Sequence, residues 1–164
     1  MSFDRVPPGL RLYDVPAQVV EETRSVLRAR GQEGVEAVVL WLGHVVDERR
    51  AEILKAYIPE QVAYRSPDGL AVEVVEAGLT ALISALPPGV FVLCRVHSHP
   101  SKAYHSALDD ENLIISHPGA ISIVVPFFAR DPINLTACSI NELQHGQGWR
   151  ELSPDEIESR FTVR

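Results

Sequence analysis

Apolar positions along this chain follow two spacings, one suited to helices and one to buried strands. Val19, Val20, Val26 and Leu27 form a helical stripe behind Asp14 and Val15-Pro16, with Arg28, Arg30 and Gly31 at its far end. An acidic N-cap, an early proline and a closing glycine are boundary signals of a helix, so the pattern predicts one there. The unbroken apolar run 37–42 within residues 35–46 predicts a strand, and residues 51–58 are its candidate partner across Asp47-Glu48-Arg49-Arg50. Ser66-Pro67-Asp68-Gly69 has turn chemistry. Ala71, Val75, Leu79, Leu82 and Leu86 then follow at helical spacing until Pro87-Pro88-Gly89.

The clearest strand is 90–96, with six apolar residues and one arginine, which predicts a central place in a sheet. Asp109-Asp110-Glu111 begins a short helix with carboxylates at its favourable end. Residues 120–125 and 134–140 read as two more strands, and 149–152 as the last. Ser153-Pro154-Asp155-Glu156 is a capping box with proline at the first helical position. The order α, ββ, α, β, α, β, β, α predicts an α/β (α+β) fold, a mixed β-sheet flanked by helices.

Composition narrows the class. A chain of 164 residues, 46% hydrophobic and 23% charged, fits one domain, large enough to bury roughly 70% of its unfolded surface. With 15 Lys and Arg against 22 Asp and Glu, the net charge of −7 argues against a nucleic-acid partner. The N-terminal Met-Ser-Phe-Asp-Arg has no apolar leader core, and no apolar run reaches the ~18 residues of a membrane helix. A cytoplasmic protein without a membrane partner is therefore expected. Cys94 and Cys138 are too few for a disulfide framework or a Cys-rich zinc site and are expected to be buried, inert thiols.

The chemistry concentrates in His97-Ser98-His99-Pro100, directly after the central strand, with Ser106 and Asp109 beyond. In extended chain, residues two apart point to the same side, so His97 and His99 are able to aim both imidazoles at one ion. Asp109 adds an oxygen ligand. Two histidines and one carboxylate leave a fourth position for water, the pattern of a catalytic zinc site.

His-Ser-His-Pro followed by Ser-x-x-Asp resembles the signature of the JAMM/MPN (prokaryotic JAB) metalloproteases, which runs Glu, His-x-His, Ser-x-x-Asp. The upstream stretch Glu36-Ala37-Val38-Val39-Leu40-Trp41-Leu42-Gly43 matches the family register, and the likeness covers about residues 15–145. One departure stands out: the loop between His99 and Ser106 is one residue shorter than the commoner family spacing. Ser106 with Asp109 keeps the Ser-x-x-Asp interval, and Asp110 is the fallback ligand. The shorter loop looks like that of bacterial members associated with ubiquitin-like modification systems.

The resemblance implies a single MPN/JAB domain of cytidine-deaminase-like type over residues 1–164. It implies one Zn²⁺ per chain on His97, His99 and Asp109, with Glu36 as general acid/base and Ser106 as oxyanion donor. Its implied activity is that of an isopeptidase acting on a ubiquitin-like protein and its conjugates, beside activating and conjugating enzymes, with an antiphage role by analogy only. The alternatives are a metallopeptidase for sulfur-carrier or small-peptide conjugates and a non-catalytic MPN scaffold. His105 is expected to be a rim residue or a substrate contact rather than a ligand. Phe127, Phe128 and Arg130 lie near where family members carry a substrate-shaping insertion and are candidate substrate contacts, although packing is the default role of the two phenylalanines and of Trp41. Glu33 is expected to be a solvated turn residue, and His44, His117 and His145 structural or surface groups.

Overall fold

The computed structural model describes residues 3–67, 69–104 and 117–164. Ten strands and three α-helices are described. In chain order they are β1 (Leu12–Val15), α1 (Ala17–Gln32), β2 (Val38–Val45), β3 (Arg50–Tyr57), β4 (Gln61–Ser66) and β5 (Gly69–Val74). There follow α2 (Glu76–Ala85), β6 (Val90–Ser98), β7 (Ile121–Val125), β8 (Ser139–Gln144), β9 (Gly148–Glu151), α3 (Pro154–Arg160) and β10 (Phe161–Val163). Eight strands make one mixed sheet, ordered β10-β1-β3-β2-β6-β7-β8-β9, while β4 and β5 pair as a separate hairpin. Pairing is parallel at β1/β10, β1/β3 and β6/β7 and antiparallel elsewhere. The expected mixed sheet with flanking helices is what the chain forms, with β6 in its interior.

Alternation along the central strands gives each face its own core. Val39, Trp41, Cys94, Val96, Ile121 and Ile123 meet Val19, Val20 and Leu27 of α1 and Ile157 of α3 on one side. Val38, Leu40, Leu42 and Val92 meet Val72 of β5 on the other, with Leu79 and Leu82 of α2 packed against them. The buried Trp41 indole N–H donates to Thr23 Oγ1 at 2.9 Å, and that hydroxyl donates to Val19 O at 2.7 Å, so the large ring enters the core with its polar atom satisfied. Cys94 and Cys138 are buried as expected. Burial pushes both thiols up, Cys138 to about 12, which leaves them protonated and inert.

Local signals were overridden in four places. Asp14 is not a helix cap: it lies in β1, pinned between β3 and β10, and its carboxylate takes Arg50 at 2.9 Å, while Pro16 occupies the N-cap of α1. Gly31 does not end α1, which runs to Gln32; Gly34, at φ +75°, makes the turn. Ala71 belongs to β5, because the turn after Ser66 pairs 61–66 with 69–74 and delays the helix to Glu76. Asn134 opens a 3-10 turn, Leu135–Ala137, its Oδ1 accepting from the Thr136 amide and hydroxyl, so the strand there starts only at Ser139. The short β10 shows no period in sequence and is held through Phe161, which stacks on Tyr13 at 5.0 Å. The predicted helix at Asp109-Asp110-Glu111 lies outside the described residues.

The capping box of α3 is present in full, Ser153 Oγ accepting from the Glu156 amide at 3.2 Å and Glu156 Oε1 from the Ser153 amide at 3.3 Å. Its hydrogen bond to Arg150, then that to Ser153, holds the Glu156 carboxyl down at about 2. An unfolded glutamate titrates near ~4.3, so this contribution is complete above that pH and lost as pH falls toward about 2. Ser153→Ala is expected to cost about 1 kcal/mol in denaturant unfolding at neutral pH. Glu156→Gln should flatten the acid limb of the stability curve; a limb as steep as wild type would contradict the assignment.

Candidate metal centre

The last two residues of β6 and the one after it build the site. His97 pairs with Val38 of β2 on one side and Val124 of β7 on the other, so the first histidine sits inside the sheet rather than in a following loop. Ser98 donates its amide to Ala37 O, and its hydroxyl accepts from Ala37 N, both at 3.3 Å. His99 continues the ladder toward β7, donating its amide to Val125 O at 2.9 Å. This backbone holds the two imidazoles on one face. His97 Nε2 lies 3.2 Å from His99 Nε2, with both rings buried.

Glu36 reaches the same face by register. Opposite residues of an antiparallel pair share a face, as do residues two apart in one strand. Val38 opposes His97 and Ala37 opposes Ser98, so one further step sets Glu36 beside His99. Glu36 is buried, at 7% exposure, where a glutamate needs a specific reason to be. Gln61, at the start of β4, locks this end of β2: its side chain accepts from Val38 N at 2.7 Å and donates to Val38 O at 3.0 Å.

A curled strap closes the other side. Phe127, Phe128 and Ala129 have φ of +53°, +52° and +53°. Left-handed backbone costs roughly 1–2 kcal/mol per non-glycine residue, so three in a row need strong external support. The Phe128 amide donates to His99 O and that of Phe127 to Ser101 O, each at 2.8 Å. Phe127 is exposed with the Arg130 guanidinium 6.0 Å from its ring centre, whereas Phe128 is half-buried. Tyr104 presents its ring edge-on to His99, centroids 4.6 Å apart. Beside them, a cleft of about 380 Å³ runs from Lys102 and Phe127 past Asn134 to Ser139 and Glu151.

The donor set fits a metal. Two ligands at ~2.05 Å in tetrahedral array are separated by about 3.3 Å, close to the observed spacing of the two ring nitrogens, and neutral imidazole suits zinc and similar divalent ions. Among the described residues no group of three His, Cys, Asp or Glu side chains is gathered to hold an ion. His105, Ser106, Asp109 and the fallback Asp110 all lie outside the described residues.

No protein-family model matches the chain. The probable metalloprotease y4jG of Sinorhizobium fredii is 32% identical over 155 residues, spanning 94% of this chain and 95% of that protein. This chain belongs to that metalloprotease family. The solution structure of protein DSY2949 from Desulfitobacterium hafniense superposes with a TM-score of 0.58 at 18% identity, covering 93% of both chains, which supports the fold alone.

A further polar residue lies on the face of the two histidines. Arg95, two residues before His97, is buried on the same face, donates to Ser122 Oγ at 3.1 Å and lies 5.9 Å from the Trp149 ring centre. Its signal was the one charge inside an apolar strand. Gln61 gives no comparable signal, because it acts on the backbone of Val38, distant in sequence. Of the other described histidines, His44 meets Glu52 at 3.3 Å on the surface, His117 Nε2 lies 3.2 Å from Val92 O, and His145 is exposed. No described helix is long and apolar enough to cross a membrane.

Proposed function

We propose that this metalloprotease is a JAMM/MPN-type zinc isopeptidase that cleaves after the C-terminal tail of a ubiquitin-like protein, releasing it from conjugates or maturing its precursor. The observation that carries the reading is the convergence of His97 and His99 Nε2 at 3.2 Å on the face that also holds buried Glu36. The motif order Glu36, His97, His99, Ser106, Asp109 supports the JAMM/MPN assignment, with His97, His99 and Asp109 holding one Zn²⁺. When bound, the ion supplies Lewis-acid polarisation of the scissile carbonyl and acidifies water. Glu36 takes the proton of the attacking water on a carboxylate oxygen and returns it to the leaving amine. Ser106 donates its hydroxyl to the oxyanion. Burial around Glu36 and His99 keeps bulk water from competing.

Two surfaces would receive the carrier. The connection around 57–68 is tied by Gln61 to Val38, the residue opposite His97, and it displays exposed Val62 and Tyr64. The 127–132 segment displays Phe127 and Arg130 beside His99. A thin glycine-ended tail passes between such surfaces without clashing, while a folded carrier supplies the contact area.

A carrier fused through its intact tail to an unrelated protein is expected to be cut just after the tail, and chelator should abolish the cut. Replacing the last glycine by valine should block cleavage, and the free tail peptide should be cut far more slowly. Equal rates for peptide and fusion would replace this reading with small-peptide hydrolysis.

A further inference from the structure

His99 is held by a chain of contacts that begins in α1, on the opposite face of the sheet. Its carbonyl accepts from the Phe128 amide, and the neighbouring Phe127 amide is spent on Ser101, so two successive amides of one turn grip residues 99–101. The left-handed φ of both phenylalanines sets this arrangement. The support lies behind the turn. Phe128 is seated on Gly31 of α1, where any Cβ would collide with the Cβ and Cγ of Phe128. About two helical turns earlier, Arg24 gathers three carbonyls of the turn's exit, Ala129 at 3.3 Å, Arg130 at 2.8 Å and Asp131 at 3.1 Å.

We infer that Gly31, the left-handed backbone at residue 128 and Arg24 position His99, Gly31 by leaving room for the Phe128 side chain, and so set its imidazole against that of His97 and fix the metal affinity of the site. This rests on the metal centre proposed at His97 and His99. Groups that orient a metal ligand from behind are typically worth roughly 10- to 100-fold in affinity. Gly31→Ala isolates the effect, because alanine inside a helix favours α1 itself, and what remains is the collision with Phe128. Phe128→Gly removes the colliding side chain and leaves a residue at ease at positive φ.

The test is zinc affinity by competition with a chromophoric chelator, with far-ultraviolet circular dichroism to check the fold. Gly31→Ala is expected to weaken zinc binding by about 10-fold or more with the fold intact. The double variant Gly31→Ala with Phe128→Gly should recover most of that loss, which a general loss of packing would not do. Wild-type affinity in Gly31→Ala, or a double variant as weak as the single, would overturn the inference. Should Gly31→Ala not fold, Arg24→Gln serves instead: weaker zinc binding supports the device and unchanged binding overturns it. Failure of the wild-type chain to bind zinc would instead remove the proposed metal centre itself, and this inference with it.

Discussion

Glu36→Gln is expected to lower kcat by about 10²- to 10⁴-fold while the protein keeps its full complement of metal. The amide has nearly the shape of the carboxylate, so packing at this buried position is preserved, but it cannot take up a proton from water. Register places Glu36 beside His99, one step beyond the Ala37–Ser98 pair, on the face where the two imidazoles meet. Glu36→Asp keeps the charge on a shorter side chain and should retain more activity than Glu36→Gln. Turnover in Glu36→Gln above about a tenth of wild type would remove Glu36 from the proton-transfer role.

Substitution of either histidine should have the complementary effect, with loss of metal preceding loss of activity. Three protein ligands are the usual number in a catalytic zinc site, and removing one leaves too few to retain the ion. His97→Ala or His99→Ala should therefore lack stoichiometric zinc after dialysis. The same loss should appear in thermal unfolding. Zinc at a thousandfold excess over its Kd stabilises the native chain by about 4 kcal/mol through mass action, and that increment should vanish in both variants. Asp109→Ala should behave alike, and Asp110→Ala should not. A loaded Asp109→Ala beside an empty Asp110→Ala would move the third ligand by one residue.

What sequence made legible was governed by the range of the interaction. The apolar runs that became β2, β6 and β7 are dictated by burial on both faces, a property each segment carries in its own residues. The capping box at Ser153 and Glu156 is likewise local and was readable. Asp14 and Gly31 carry the ordinary marks of helix ends, yet one is claimed by Arg50 and the strands beside β1, the other by Phe128 from nearly a hundred residues away. The β4/β5 hairpin was missed because Ala71 also fits the helical stripe, and only pairing with Tyr64 decides the matter. At the site, the His-x-His spacing foretold a shared face. The left-handed strap that bears on His99 had no signal, since phenylalanine in that conformation is chosen by tertiary support and not by propensity.

A centre built on His97 and His99 is tested most directly by what surrounds the metal, and X-ray absorption at the zinc K-edge of the loaded protein measures that. The expected spectrum has nitrogen and oxygen scatterers only, near ~2.0–2.1 Å, with the outer-shell pattern of two imidazoles, and the dialysed His97→Ala variant should give no zinc edge of comparable height. A sulfur shell near ~2.3 Å, or a zinc environment unchanged by His97→Ala, would contradict a centre built on His97 and His99.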